Sequence, residues 1–298
     1  MPSSPRGLMW ASVPTLTYSH QKGKYKMDKR PIGVFDSGIG GLTVLREIME
    51  QLPYENVIYF GDTARIPYGS KSEQTVKKFA YQCASFLKSK DVKTIVIACN
   101  TASAFAIDYL QERFDIPVIG VIEPGARGAV ETTANGKIGV IGTSGTIGSG
   151  AYQAAIMEKN HEAEVIGIPC PLFVPIVEEG WEYSTVAELT AQQYLIELKE
   201  HGVDALVLGC THYPILRYTI GKVLGEGVRL VNPAFETAKE LKEILTKNSM
   251  LKEDFTKPKY EYYVSDAPEK FRRLGGNFLK KDIETLSEIA IDSITVDE

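Results

Sequence analysis

Short runs of β-branched residues and leucine recur along the chain. They alternate with longer stretches in which apolar residues return every three or four positions. The runs are Ile32-Gly33-Val34-Phe35, Val57-Ile58-Tyr59-Phe60, Val92 to Ala98, Ile138-Gly139-Val140-Ile141, Val165-Ile166-Gly167-Ile168 and Val203 to Gly209. Continuous apolar runs of this length predict strands buried on both faces. Between them, residues 42–52 carry Leu42, Leu45, Ile48, Met49 and Leu52 on one helical face. Residues 75–87 do the same with Val76, Phe79, Ala80, Cys83 and Leu87, and residues 185–198 read similarly. Strands alternating with such helices predict βαβ units and a parallel sheet. Open α/β sheets bind ligands beyond the carboxyl ends of their strands. Asp36, Ser37, Asp62, Cys99, Thr143 and Cys210 all fall there.

The pattern is written twice. Ile32 is answered by Ile138, Val57 by Val165, Pro67 by Pro175, Cys99 by Cys210, and Ile122-Glu123-Pro124 by Val231-Asn232-Pro233. The offsets stay between 106 and 111 positions. An ordered series at so constant a spacing predicts an internal duplication: two pseudo-symmetric, doubly wound α/β domains with mainly parallel sheets and a site in the cleft between them. Residues 124–136, with Pro124, Gly125, Gly128, Asn135 and Gly136, read as the connection between the halves. The expected division is 27–123 plus 233–298 for a discontinuous first domain and 124–232 for the second. In the tail, residues 237–245 predict a helix and residues 260–264 a strand, and a last helix is expected near Ala267-Pro268-Glu269. Residues 1–26, rich in Ser, Pro and Lys and without a clear period, read as a disordered extension. The folded chain is expected to begin near Met27, a candidate start of the natural protein.

Composition narrows the class. The net charge is −5 and no basic stripe appears, which argues against a nucleic-acid partner. No apolar stretch approaches the roughly 20 residues of a membrane span, and Leu8-Met9-Trp10-Ala11 is too short for a signal-peptide core. Four cysteines in 298 residues, none in a C-x-x-C pair, do not suit a disulfide-stapled secreted module. The reading is a soluble cytoplasmic protein with free thiols.

Two of those thiols carry the candidate chemistry. Cys99 and Cys210 each end an apolar run and precede polar residues able to open a helix, Asn100-Thr101 and Thr211-His212. At a helix start the dipole and free N–H groups favour the thiolate, so both are expected to have lowered pKa values. Matched thiols in a duplicated fold suit acid/base work on the two faces of one carbon. Cys83 lies on the apolar face of its helix and reads as core, and Cys170, between two prolines, reads as structural. Two glycine-rich turns, Asp36 to Gly41 and Gly142 to Thr146, offer backbone donors and the hydroxyls of Ser37, Thr143 and Thr146 at helix starts. Neither is a Walker A loop, and a tight βα turn explains any single glycine equally well. Tyr68 reads equally as a surface tyrosine or as part of the ligand rim. Glu178 and Glu179 read first as surface charge, with one of them available to orient His212. His212 has no partner at metal-ligand spacing, so no metal is expected; its place beside Cys210 suits proton transfer. No lysine stands in a cofactor-binding context, and no cofactor is expected.

Taken together, Asp36 to Val44, Gly61-Asp62 with Pro67-Tyr68-Gly69, Ala98-Cys99-Asn100-Thr101-Ala102-Ser103, Gly209-Cys210-Thr211-His212-Tyr213-Pro214 and Tyr263 to Pro268 resemble the glutamate racemase family. The resemblance runs from about residue 27 to residue 276. It implies a cofactor-independent isomerase that interconverts L- and D-glutamate for peptidoglycan synthesis, and so serves cell-wall biogenesis and cell shape. It implies Cys99 as the base for D-glutamate and Cys210 as the base for L-glutamate. Asp36 would assist Cys99, His212 would assist Cys210, and Glu178 would partner the histidine. Substrate contacts would come from Asp36, Ser37, Pro67, Tyr68, Gly69, Asn100, Thr101, Thr211 and His212, with Thr143 and Thr146 near a substrate carboxylate. The implied assembly is a homodimer, and the implied partner is glutamate alone. Two alternatives stay open: a racemase of aspartate or another amino acid, and a non-catalytic two-lobed amino-acid-binding protein.

Overall fold

The computed structural model describes residues 28–291 and residue 294, so the expected extension at residues 1–26 lies outside the described residues. Among the described residues, ten strands build two all-parallel sheets. They are β1 (Ile32–Asp36), β2 (Val57–Gly61), β3 (Thr94–Ile97), β4 (Val118–Gly120), β5 (Lys137–Gly142), β6 (Glu164–Pro169), β7 (Ala205–Gly209), β8 (Arg229–Val231), β9 (Tyr260–Val264) and β10 (Leu286–Glu288). The first sheet has the order β10-β9-β2-β1-β3-β4 and the second β6-β5-β7-β8. The duplication is thus visible in topology, because β2-β1-β3-β4 and β6-β5-β7-β8 are the same arrangement built twice. The tail adds β9 beside β2, with Tyr260 opposite Val57, and then β10 beside β9.

The helices are α1 (Leu42–Gln51), α2 (Glu73–Ser89), α3 (Asn100–Gln111), α4 (Ile122–Thr132), α5 (Ser144–Gly148), α6 (Ala151–Lys159), α7 (Phe173–Glu178), α8 (Thr185–Glu200), α9 (Arg217–Leu224), α10 (Pro233–Lys247) and α11 (Pro268–Leu279). None of the described helices is long and apolar enough to cross a membrane. Caps set several of the starts. The Ser72 and Ser184 hydroxyls accept the N–H groups of Thr75 and Ala187, and Asn232 accepts that of Ala234. Proline follows Asn232 in the first turn of α10, where its missing N–H costs nothing.

Strands β1, β2, β3 and β7 are buried along their whole length, and β5 is buried from Ile138 onward, as apolar runs flanked by helices require. The run at residues 165–168 departs from the expectation of two-sided burial. It forms an edge strand, β6, with exposed and half-exposed positions. One apolar cluster runs from Val34 and Leu45 through Ala238 and Leu241 of α10 to Leu206 and Tyr213, so the two sheets share a core.

The segment expected to be a connection, residues 124–136, is mostly helix. Pro124 lies in the first turn of α4, where the helix needs no N–H. The glycines serve packing instead. A Cβ on Gly125 would sit 3.1 Å from Pro233 and from Tyr152, and one on Gly128 would sit 2.8 Å from Glu236. They let α4 nest against α6 and α10, and only residues 133–136 remain as a turn before β5.

Candidate active site

The carboxyl ends of β1, β2 and β3 face those of β5 and β7 across a cavity of about 320 Å³. Both Cys99 and Cys210 line it. Around them stand Ser37, Pro67, Tyr68, Gly69, Asn100, Thr101, Thr143, Thr211, His212 and Glu178, all expected from the sequence. Asp36 and Thr146 stand just behind this lining. Ile66, Ser70, Pro171 and Val174 also line it and carried no distinguishing signal in the sequence.

Cys99 sits between β3 and α3 as the residue capping that helix. Its Sγ lies 3.7 Å from Ser37 Oγ. The expectation of a lowered pKa fails here. Burial, followed by the negative charge of Asp36, pushes the thiol up to about 12, against the opposing N–H of Ala102 in the first turn of α3. The helix start does act on the sulfur, but loss of water outweighs it. Cys210 departs further from expectation. A 3-10 turn over Tyr213–Leu216 follows it, and α9 begins only at Arg217. Proline at position 214 and the tight turn at Thr211-His212 delay the helix, so Cys210 lacks a full helix dipole. Burial again raises its thiol, helped by the charges of Cys99 and Asp36.

The polar surroundings of the two thiols differ. Asp36 is 1% exposed; its Oδ2 accepts the Gly38 N–H at 2.9 Å while Oδ1 has no partner. Burial pushes its carboxyl up, against hydrogen bonds from backbone N–H groups and the nearby His212. On the other side, Cys210 Sγ lies 3.9 Å from His212 Nδ1, and His212 Nε2 lies 3.3 Å from Glu178 Oε1. The bond to His212, with help from Lys270, holds the Glu178 carboxyl down at about 2. Glu178 is therefore no idle surface charge.

Hydroxyls join the halves beneath the thiols. Thr101 Oγ1 lies 2.9 Å from Thr143 Oγ1 and 3.1 Å from Thr146 Oγ1, and the last two are 3.0 Å apart. Thr143 also caps α5 by accepting the Thr146 N–H. Asn100 Oδ1 accepts the Tyr152 hydroxyl at 2.7 Å, which leaves its NH2 group as the available donor. Tyr152, on α6, was not marked by the sequence, since one tyrosine in a helical stretch carries no signal. Tyr68 is 1% exposed and lines the cavity, so it is not a surface tyrosine. Its hydroxyl donates to Asp62 Oδ2, an oxygen that Arg65 Nε also reaches at 2.7 Å, and Ser265 donates to Oδ1 at 3.0 Å.

Close approach across the cleft depends on two glycines. A Cβ on Gly40 would lie 2.2 Å from Thr211 Oγ1 and 2.6 Å from the His212 ring. One on Gly69 would lie 2.6 Å from Thr143 Cβ. The remaining thiols stay apart from this chemistry. Cys83 is buried in the core with its Sγ 3.8 Å from the Tyr68 hydroxyl, and Cys170 is buried directly after the end of β6. His161 and His201 are exposed. Among the described residues, no three His, Cys, Asp or Glu side chains are grouped so as to hold a metal ion.

Comparison with known proteins agrees with this geometry. A family model described as Asp/Glu/Hydantoin racemase matches residues 32–241. The glutamate racemase of Geobacter metallireducens is 52% identical over 267 residues, covering 90% of this chain and 99% of that protein. The glutamate racemase of Neisseria meningitidis serogroup A is 48% identical over 264 residues, covering 88% of this chain and 97% of that protein. The crystal structure of glutamate racemase from Francisella tularensis in complex with D-glutamate superimposes with a TM-score of 0.84 at 46% identity, covering 90% of this chain and 100% of that one.

Proposed function

The chain belongs to the Asp/Glu/Hydantoin racemase family, and from that premise we propose that it interconverts L- and D-glutamate with Cys99 and Cys210 as paired bases. The observation that carries this reading is the opening of both thiols, from opposite sheets, into one cavity. At about 320 Å³ the cavity is at the small end for ligand sites and suits a small amino acid. The lobes in this reading are residues 27–123 with 233–298, and residues 124–232; pairing of β9 with β2 supports the return of the tail to the first lobe.

Burial leaves both thiols protonated at neutral pH, so the thiolate must be made inside the site. For Cys210 the acceptor is His212 Nδ1, with Glu178 behind it stabilising the imidazolium. For Cys99 the acceptor is Asp36, whose buried carboxyl is more basic than a surface one. With L-glutamate, the Cys210 thiolate takes the α-proton and its electron pair stays on Cα. The Cys99 thiol then delivers a proton to the opposite face, giving D-glutamate and a Cys99 thiolate. The reverse direction exchanges the two roles. The Asn100 NH2 group and the threonine hydroxyls supply fixed donors for the charge that develops on the substrate carboxylate. The protein is a cytoplasmic homodimer in this reading and serves peptidoglycan synthesis.

The test is a chiral assay of purified protein with no added cofactor, run in deuterated water on L-glutamate and L-aspartate side by side. The expected result is D-glutamate carrying deuterium at Cα, with little deuterium in the L-glutamate recovered at early times. Early label in recovered substrate would favour one shared base. Faster turnover of aspartate would reassign the substrate. No turnover of either would overturn the reading.

A further inference from the structure

Glu178 divides its two carboxylate oxygens between two halves of the molecule. Oε1 faces His212 Nε2 at 3.3 Å, and Oε2 receives Lys270 Nζ at 3.0 Å. Glu178 and His212 belong to the second half. Lys270 comes from α11, in the tail whose strands extend the first sheet. Helix α11 is well anchored, with Phe271, Phe278 and Leu279 buried. It meets the His212–Glu178 pair at two points. The Phe278 ring stands edge-on to the imidazole at 5.4 Å between centroids, and Lys270 closes on the carboxylate. Glu178 lines the thiol cavity and also the two cavities next to it; Lys270 lines only those two. Lys270 therefore acts on the chemistry only through Glu178.

We propose that Lys270 is a positioning residue that fixes the Glu178 carboxylate against His212 and sets how readily the imidazole takes the Cys210 proton. The proposal rests on the reading of Cys210 and His212 as a proton-transferring pair. The charged and titratable groups facing His212 are Glu178 from α7, Asp36 from the end of β1 and Cys210 from its own turn, and each favours an imidazolium when ionised. Lys270 opposes them by sharing the carboxylate. Arg273 and Lys280 line a neighbouring cavity together with Glu179 and Glu182, but no hydrogen bond or ion pair joins them to Glu178. An imidazole that is to accept and return a proton in every turnover must not be locked in the charged state, and a competing cation on its carboxylate partner prevents that. The Lys270 side chain is 51% exposed, so the effect is a moderate, screened one.

The test compares Lys270→Gln with Lys270→Arg in the full-length protein. The His212 imidazole is followed by NMR titration and identified by its loss in His212→Asn, with the exposed His161 and His201 as internal references. In Lys270→Gln the His212 midpoint is expected to rise by about 0.5 of a pH unit. The acidic limb of kcat/KM should move up by the same amount, and kcat/KM near neutral pH should fall by up to about three-fold. Lys270→Arg should restore all three. A His212 midpoint within about 0.1 of a pH unit of the parent in Lys270→Gln, or a Lys270→Arg variant that behaves like Lys270→Gln, overturns the proposal. The titration needs no turnover. An unmoved midpoint in a working racemase therefore removes only the role of Lys270, whereas a parent protein that does not racemise removes the proposed function.

Discussion

Cys99 and Cys210 sit at equivalent strand ends of the same four-stranded arrangement, yet their surroundings solve the proton problem differently. Cys99 caps a twelve-residue helix and looks onto Ser37 and an enclosed Asp36 with one oxygen unpartnered. Cys210 precedes a 3-10 turn and stands at the head of a chain of ionisable side chains, His212, Glu178 and Lys270, that ends at a half-exposed ammonium. Duplication fixed where the sulfur atoms stand. It did not fix how each sulfur exchanges its proton, which was left to side chains that the repeat does not share. The two sides must nevertheless perform equally. Enantiomers have the same free energy in water, so kcat/KM is identical in the two directions, and damage to either side lowers both directions together.

That equality makes the largest effect easy to read. Cys99→Ala and Cys210→Ala are each expected to lower racemisation by about 10³-fold or more in both directions. Cys83→Ala and Cys170→Ala should keep near-parent rates and lose about 1–2 kcal/mol of stability as small core truncations. Racemisation surviving at near-parent rates in either active-site variant would break the symmetry on which the comparison rests.

Asp36→Asn comes next, and its two effects have opposite signs. Activity should fall by about 10²-fold, because Cys99 loses its acceptor. Stability should rise by about 1 kcal/mol at pH 7, because a buried carboxylate with an unpartnered oxygen is costly. Since the folded pKa of Asp36 is raised, the gain should be absent below the ordinary carboxylate range near about 3.9 and grow as pH rises through the folded value. Thermal melts of both proteins from acid to neutral pH check this. Loss of stability at pH 7 would mean that the carboxylate is better satisfied than its geometry indicates.

Gly40→Ala damages the Cys210 side from the opposite lobe. The new methyl group would meet Thr211 Oγ1 and the His212 ring well inside contact distance, and either the loop or the imidazole must move. Misplacement on this scale is expected to cost about 10²-fold in kcat/KM. Gly148→Ala, with nothing within 4 Å of its Cβ position, is the control and should be silent. An active Gly40→Ala enzyme would show that the lobes can separate without penalty.

The strands, the repeat and the set of residues around the cavity were legible because each leaves a local mark: an apolar run, a constant offset, a thiol or hydroxyl at a strand end. Four features were not. The helix α4 was hidden by Pro124, Gly125 and Gly128, which look like a linker until Tyr152, Pro233 and Glu236 are seen to occupy the space that larger side chains would take. The raised thiol pKa values were hidden because a helix start is written in the sequence while loss of water is not. The delayed α9 belongs to the same class, since Thr211-His212 resembles Asn100-Thr101 in type but turns the chain differently. Tyr152 and Lys270 are single polar residues on helices, and only the fold shows that one meets Asn100 and the other Glu178.

The smallest effect sharpens the comparison best. Glu178→Gln keeps the shape of the side chain but removes the charge between His212 and Lys270, and kcat/KM is expected to fall about ten-fold. The stability effect should mirror that of Asp36. The His212 bond, with Lys270, holds Glu178 down at about 2, below the ordinary value near about 4.3. A depressed folded pKa contributes stability that is complete above the ordinary value and lost as pH falls toward the folded one. Glu178→Gln should therefore be about 1 kcal/mol less stable than the parent at neutral pH, a modest figure because Lys270 is half exposed. The gap should close between about pH 4.5 and pH 2. Chemical denaturation of both variants across that range would set the two carboxylates side by side: the Asp36 difference opens as pH rises, with the substituted protein the more stable, whereas the Glu178 difference opens with the parent the more stable. If both differences carry the same sign, the enclosed carboxyl and the relay to the surface are not electrostatically distinct, and the two sides of the site share one mode of proton exchange.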